Sequence, residues 1–342
     1  MVWRIYFTAA DLARTTISAP LGPLAETTMA LSLLRCPLQP SSLFSDWRHR
    51  AVAQITAQMK PLLILIPAGS RGVDLCTLTG DPRTMEQGAQ ALMTMPRDQV
   101  LAEMGDLHRH HRLPASAWAA AEAGSEARLR LADATDATYR ALVEPYWGRI
   151  RAHLRAEQYA RGQILMHGGV ERLLTTLQTP RLRWRPPVLE IDIPGSTDVQ
   201  LAGRGLTLVP SLFVGEIPAL LRDLHDERAV PRLVFPAGRN RATDTALWRR
   251  PRSGSGALAA LVGRTRAATL NSIADGCTTT ELAHRVGVSL AAASQHATVL
   301  REAGLISTSR HGSAVRHTLT QLGGELLDAG SSADEPRLAD RT

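Results

Sequence analysis

Lysine is nearly missing from this chain of 342 residues: Lys60 is the single one among 39 basic residues, and arginine supplies the rest. Cysteine is scarce too. Cys36, Cys76 and Cys277 lie far apart with no CxxC spacing, which excludes a disulfide framework and fits reduced thiols. Long apolar runs are missing: Leu62–Ile66, fenced by Pro61 and Pro67, is far short of the ~20 residues a membrane helix needs. The opening MVWRIYFTAADLAR has neither a long apolar segment nor a small-residue cleavage site, so no signal peptide, no membrane partner and a cytoplasmic location are expected.

Catalytic signatures are equally thin. GxSxG and HExxH do not occur. Pro67-Ala68-Gly69-Ser70-Arg71-Gly72 lacks the spacing and the lysine of a phosphate loop and reads as a turn. Gly203-Arg204-Gly205, between two strand-like runs, reads as a hairpin turn. His108 and His111 are i, i+3 on a helix, but no acid or cysteine completes a metal set, so a solvated helix end is expected there. No cofactor, no metal and no enzymatic role are expected.

What is present favours polyanions. The net charge is +7 and the pI about 10.1, which by itself supports only non-specific attraction. A hydrophobic share of 44% is ordinary for a chain with a real core, and the length suggests two or three domains. The fold class expected is α+β: a mainly helical N-terminal region (1–180), a small antiparallel β region (181–237), a polar Arg- and Gly/Ser-rich linker (238–256), a C-terminal winged helix-turn-helix (257–328) and a frayed tail (329–342). Within that frame, Trp3–Phe7 reads as a strand, Thr8-Ala9-Ala10-Asp11 as a capped helix start and Leu24–Leu34 as a buried helix. Asp81–Leu177 is helical in composition, with breaks expected at Pro96, Pro114, Gly124, Pro145 and Gly168-Gly169 and with Glu126–Val143 and Tyr146–Met166 its longest pieces. The strands of the β region are expected at 182–185, 188–193, 198–201, 206–209 and 232–235.

The most specific stretch is 278–319. Thr280-Glu281-Leu282-Ala283 opens a short helix ending at Gly287, a residue free to take the left-handed conformation of a tight turn. Ser289 can cap a second helix. There Ala293, Ala297 and Leu300 fall at i, i+4 and i+7, a core-facing stripe, which turns Leu290, Ala291, Ser294 and Gln295 outward. Two strands follow, 305–310 and 314–319, around His311-Gly312-Ser313. Such an order suits the major groove: small Ala291 and Ala292 allow close approach, Gln295 can pair with adenine, Ser294 with several bases, and Leu290 can touch a thymine methyl. Arg310 and Arg316 flank the hairpin turn, Arg285 sits on the first helix, and His296 and His311 add charge only when protonated.

The run Glu281-Leu282-Ala283, Gly287-Val288-Ser289, Ser294-Gln295-His296 and Leu300-Arg301-Glu302-Ala303-Gly304-Leu305 resembles the winged helix of ArsR-type bacterial transcriptional regulators. That resemblance covers about 257–325. It implies a homodimer on double-stranded operator DNA, usually a repressor released by a signal, with Ser289, Leu290, Ala291, Ala292, Ser294, Gln295, His296, Arg285, Arg310, His311 and Arg316 at the DNA. Metal-sensing members of that family keep paired cysteines in a CxC-Asp-Leu arrangement where this chain has Thr278-Thr279-Thr280-Glu281-Leu282, with Cys277 alone upstream. A non-metal effector is therefore expected.

Phe7–Arg14, Pro145-Tyr146-Trp147 and Leu182–Glu190 are similar to a domain found fused ahead of such winged helices in actinobacteria, which carries no established activity. A small-molecule effector site is guessed there from aromatics beside helix breaks, Tyr146, Trp147 and Trp184. The methionine run Met85, Met93, Met95 and Met104 could line a plastic pocket, although core filling is the commoner use. Two readings compete with the regulator: an enzyme whose wing clamps a dimer, and an interaction protein whose wing docks protein. The missing catalytic motifs weigh against the first, and Gln295 with Arg310 and Arg316 against the second.

Overall fold

The structure, a computed structural model, describes residues 2–36, 44–69, 72–110, 112–115, 117–118, 124–192, 197–238, 247–248, 256–273, 276–311, 314–320, 322–324 and 326–327. The chain divides into two compact units, Met1–Trp248 and Arg249–Thr342. Stretches 1–180 and 181–237 thus belong to one body. Most of the expected linker (239–246 and 249–255) and all of the expected tail lie outside the described residues.

In the N-terminal unit, strand β1 (Trp3–Tyr6) leads into helix α1 (Ala9–Arg14) through a complete capping box. Thr8 Oγ1 accepts the Asp11 N–H at 3.2 Å, and Asp11 accepts the Thr8 N–H at 2.8 Å. Strand β2 (Thr16–Ile17) follows, then α2 (Pro23–Arg35), buried along nearly its whole length as its apolar sequence predicts. Short helices α3 (Ser45–Val52), α4 (Lys60–Leu65) and α5 (Leu75–Leu78) precede α6 (Met85–Thr94) and α7 (Arg97–His110). The two long pieces are α8 (Gly124–Leu142) and α9 (Trp147–Thr176). Helix α9 is broken at Gly169, whose φ of 71° and ψ of 179° lie outside the helical region; Gly168-Gly169 is where the sequence predicts a break.

The expected antiparallel sheet within 181–237 is not what forms. Strands β3 (Leu182–Arg185), β4 (Val188–Ile191) and β5 (Thr197–Gln200) join β1 in the order β3-β4-β1-β5. In that sheet β1 runs antiparallel to β4, with Ile5 opposite Leu189, and parallel to β5, with Ile5 opposite Val199. A second sheet orders β2, β6 (Thr207–Ser211), β8 (Arg232–Pro236) and β7 (Ala219–Leu221), and here β6 is parallel to both its neighbours. The unit is therefore mixed α/β with two mixed sheets. Alternation in a strand identifies its buried face, not its partner, and both sheets recruit strands from more than 180 residues away.

Because β5 and β6 lie in different sheets, Gly203-Arg204-Gly205 is a crossover and not a hairpin turn. It packs against α1: the Gly205 N–H donates to Asp11 Oδ1 at 2.9 Å, and Arg14 donates to the Gly203 carbonyl at 2.6 Å. Around the sheets Ile5, Phe7, Leu189, Ile191 and Leu208 form one core. The helices build another around Phe44, Trp47, Phe213 and Trp248. Between α2 and the end of β6 a carboxylate is buried: Glu26 accepts the N–H groups of Leu212 (3.3 Å) and Phe213 (3.1 Å). Burial pushes its pKa up to about 7 despite those donors. No helix among the described residues is long and apolar enough to cross a membrane.

Candidate nucleic-acid interface

The C-terminal unit is built from α10 (Gly256–Val262), α11 (Arg264–Ser272), α12 (Thr279–Val286) and α13 (Leu290–Glu302), closed by β9 (Cys277–Thr278), β10 (Ile306–His311) and β11 (Ala314–Leu319). The helices enclose their own core, with Leu270, Ile273, Leu282, Ala297, Leu300 and Ile306 at its centre.

Each boundary around α12 and α13 has a local cause. Thr278 caps α12: its Oγ1 accepts the Glu281 N–H at 3.3 Å while Glu281 accepts the Thr278 N–H at 2.8 Å. Gly287 ends the helix in the left-handed region, φ 71° and ψ 35°. Ser289 then caps α13, its Oγ accepting the Ala292 N–H at 3.2 Å.

Helix α13 is divided as its spacing predicts. Ala293, Ala297 and Leu300 are buried. Leu290, Ala291, Ser294 and Gln295 are exposed, with Leu290 55% accessible. Ala292 and His296 are half-buried, on the shoulders between the two faces. The outward face thus carries one apolar tip, one methyl, one hydroxyl and one carboxamide. None of these groups is charged, and two can both donate and accept hydrogen bonds.

Positive charge lies on neighbouring elements. Arg264 and Arg266 are exposed on α11. Arg285, exposed on α12, donates to the Ser272 carbonyl at 3.0 Å, so its guanidinium is tethered to the end of α11. Arg316 is exposed on β11, and its guanidinium lies over the turn at Gly276, where an added Cβ would meet Nη2 at 3.3 Å. Glu281 feels both arginines. Its carboxyl is held below the usual range first by the Thr278 N–H, then by the Thr278 hydroxyl and by Arg285 and Arg316.

Strands β10 and β11 form an antiparallel hairpin with Ser309 opposite Arg316, Arg310 opposite Val315 and His311 opposite Ala314. The side chains of Arg310 and His311, and the turn residues Gly312 and Ser313, lie outside the described residues. The chain matches no family model, no curated protein and no solved structure.

One residue of consequence gives no clear signal in the sequence. His317 is buried, with Nε2 3.0 Å from Thr279 Oγ1 and Nδ1 3.0 Å from Thr308 Oγ1. It thereby ties β11 to the start of α12 and to β10. Burial, and then Arg301, lower its pKa, which favours the neutral ring. The inward register of Ala314–Leu319 places a polar residue at 317, a signal readable only once the partner strands are known. Cys277, opposite His317 in the ladder, is buried in the core.

The effector residues guessed from composition do not converge. Tyr146 is buried in the helical core, edge-on to Trp248 at 5.4 Å. Trp147 packs on that same core, edge-on to Tyr139. Trp184 belongs to the sheet core, edge-on to Phe7 at 5.2 Å. Their rings fill cores, as aromatic side chains beside element ends commonly do. His108 accepts the Leu113 N–H at 3.1 Å at the end of α7, and His111 lies outside the described residues. Among the described residues no three His, Cys, Asp or Glu side chains gather to hold a metal ion.

Proposed function

We propose that this protein is a transcriptional regulator whose C-terminal unit is a winged helix-turn-helix of the ArsR type, reading operator DNA as a homodimer. In this reading α13 is the recognition helix, and β10–β11 is the wing. The observation that carries it is the division of α13: a small-residue stripe buried against the core, and an outward face of Leu290, Ala291, Ser294 and Gln295 free of charge and of bulk. Such a face suits base edges, where Gln pairs with adenine and an apolar tip meets a thymine methyl. Charge sits beside it, on Arg285 and Arg316, where phosphate contacts fix register without reading sequence. A two-fold dimer would meet half-sites about 10 base pairs, or a multiple, apart.

Control is assigned to the N-terminal unit and to a non-metal effector. Where metal-sensing relatives keep cysteines, Thr278 and Glu281 are engaged in capping α12, and Cys277 is buried. The outcome expected for the regulated gene is repression, relieved when effector binds one arrangement of the dimer better than the other.

The test is a fluorescence titration against the DNA upstream of its own gene, repeated across salt concentrations. Affinity should fall steeply with salt, in proportion to the phosphates neutralised. Gln295→Ala should relax preference at one base position by about 1–3 kcal/mol. Arg316→Ala should weaken binding to all sequences and flatten the salt slope. Equal binding to every duplex, or an inert Gln295→Ala, would refute the reading of α13.

A further inference from the structure

The N-terminal unit contains an apolar cavity of about 50 Å3, lined by side chains of α4, α5, α7 and α8 and by residues just before α5 and just after α6, among them Leu65, Leu75, Met95, Met104, Ala127 and Arg128. Among the described residues, Arg128 is the one charged side chain in its wall. It is half-buried, and its Nη1 donates to the Met93 carbonyl at 3.0 Å. That bond tethers the guanidinium of a cavity-lining residue to the Met93 carbonyl and uses one of its five N–H donors. Among the described residues no carboxylate forms an ion pair with it.

We infer that this cavity binds a short aliphatic carboxylate, its chain among the methionines and its carboxylate on Arg128. Three physical points carry the inference. Volume sets the tail: at about 10–15 Å3 for each water-sized group, 50 Å3 takes roughly four carbons. The lining sets the chemistry: an apolar cavity stays dry and accepts hydrocarbon, and Met95 and Met104, unbranched and polarizable, can move to fit tails of slightly different shape. Charge sets the head group: the planar guanidinium fork matches a carboxylate bidentately, which an ammonium or a neutral donor does not. An alcohol or an amine of the same length would fill the cavity and leave that fork unmatched.

As a ligand site this stands without the DNA reading; as the effector site of a regulator it rests on that reading. Calorimetry without DNA keeps the two failures apart. Pentanoate and 1-pentanol would be titrated into the full chain. Pentanoate should bind at least 10-fold more tightly than the alcohol, and Arg128→Gln should erase that preference. Ala127→Leu, which fills the space, should weaken pentanoate at least 10-fold. A readout on the unaltered chain uses methyl-labelled methionine spectra. Of the eight methionines, Met95 and Met104 should shift most as pentanoate is added. Equal binding of acid and alcohol, no binding at millimolar pentanoate, or shifts confined to other methionines would overturn the proposal.

Discussion

Glu26 makes the stability of the N-terminal unit depend on pH in a direction that can be worked out. Its carboxyl is fully buried beneath the end of β6, and burial raises its pKa from 4.5 to about 7. A raised folded-state pKa stabilises the protonated form. That contribution is fully present below pH 4.5 and is lost as pH rises through 7. At about 1.4 kcal/mol per pKa unit, taking the unit from pH 5 to pH 8 should cost about 2.5 kcal/mol through this group. Glu103 on α7, raised to about 8 by burial and by Asp74 and Asp106, adds to the same slope, so the informative quantity is a difference between proteins. The variant is Glu26→Gln, which cannot titrate and keeps one acceptor for the two N–H groups. Its absolute stability should fall by about 1–3 kcal/mol, because one amide loses its partner. Its loss between pH 5 and pH 8 should nevertheless be about 2.5 kcal/mol smaller than that of the natural chain. The assay is urea unfolding followed by tryptophan fluorescence. All six tryptophans, at 3, 47, 118, 147, 184 and 248, lie in the N-terminal unit, so the signal reports that unit alone. Parallel pH slopes for the two proteins would refute the assignment of a raised pKa to Glu26.

Further expectations concern single positions. Gly205→Ala should cost about 2–3 kcal/mol in the same unfolding assay, because φ is 81° and the new Cβ would stand 2.7 Å from the Arg14 carbonyl oxygen. Gly203→Ala, with a similar φ but no neighbour nearer than 3.9 Å, should cost only about 1 kcal/mol; equal losses would remove the steric argument. Thr278→Ala should weaken α12 by about 1 kcal/mol, read as faster amide exchange at Thr280–Ala283, and unchanged exchange would show that the cap contributes nothing. His317 has a lowered pKa, so its contribution is present at and above pH 6.5 and is lost as pH falls below it. Amide protection in β9–β11 should therefore drop on acidification below pH 6.5 in the natural chain, and His317→Gln should show a weaker drop; identical profiles would exclude the imidazole as the cause.

Local rules made much of this chain readable. The period of Ala293, Ala297 and Leu300, the cap at Ser289 and the left-handed stop at Gly287 each depend on residues within four positions, and each is found where the spacing predicts. The Thr8 capping box and the break at Gly168-Gly169 belong to the same class. Most strand positions were also readable, from alternation at Leu182–Arg185 and from the continuous apolar run Leu233–Phe235, while β2 and β7 gave no signal. Their partners were not. Nothing near Ile5 announces that it will lie between Leu189 and Val199. Nor does Gly203-Arg204-Gly205 reveal a crossing from one sheet to another. Aromatic composition misled at Tyr146, Trp147 and Trp184, because a ring beside a helix break suits a pocket wall and a core equally well.

The residues alone sufficed for the longer helices, the caps at Thr8 and Ser289, the stop at Gly287 and the outward face of α13, because those depend on propensity, capping chemistry and a period of 3.6 residues within a few positions; the short helices α3, α4 and α5 carried no such signal. Tertiary structure alone decided the pairing of both sheets, the burial of Glu26 and His317, the contact of Asp11 with Gly205 and the cavity beside Arg128. These depend on chain segments brought together across as many as 194 residues, and loop closure of that length leaves no mark on local composition.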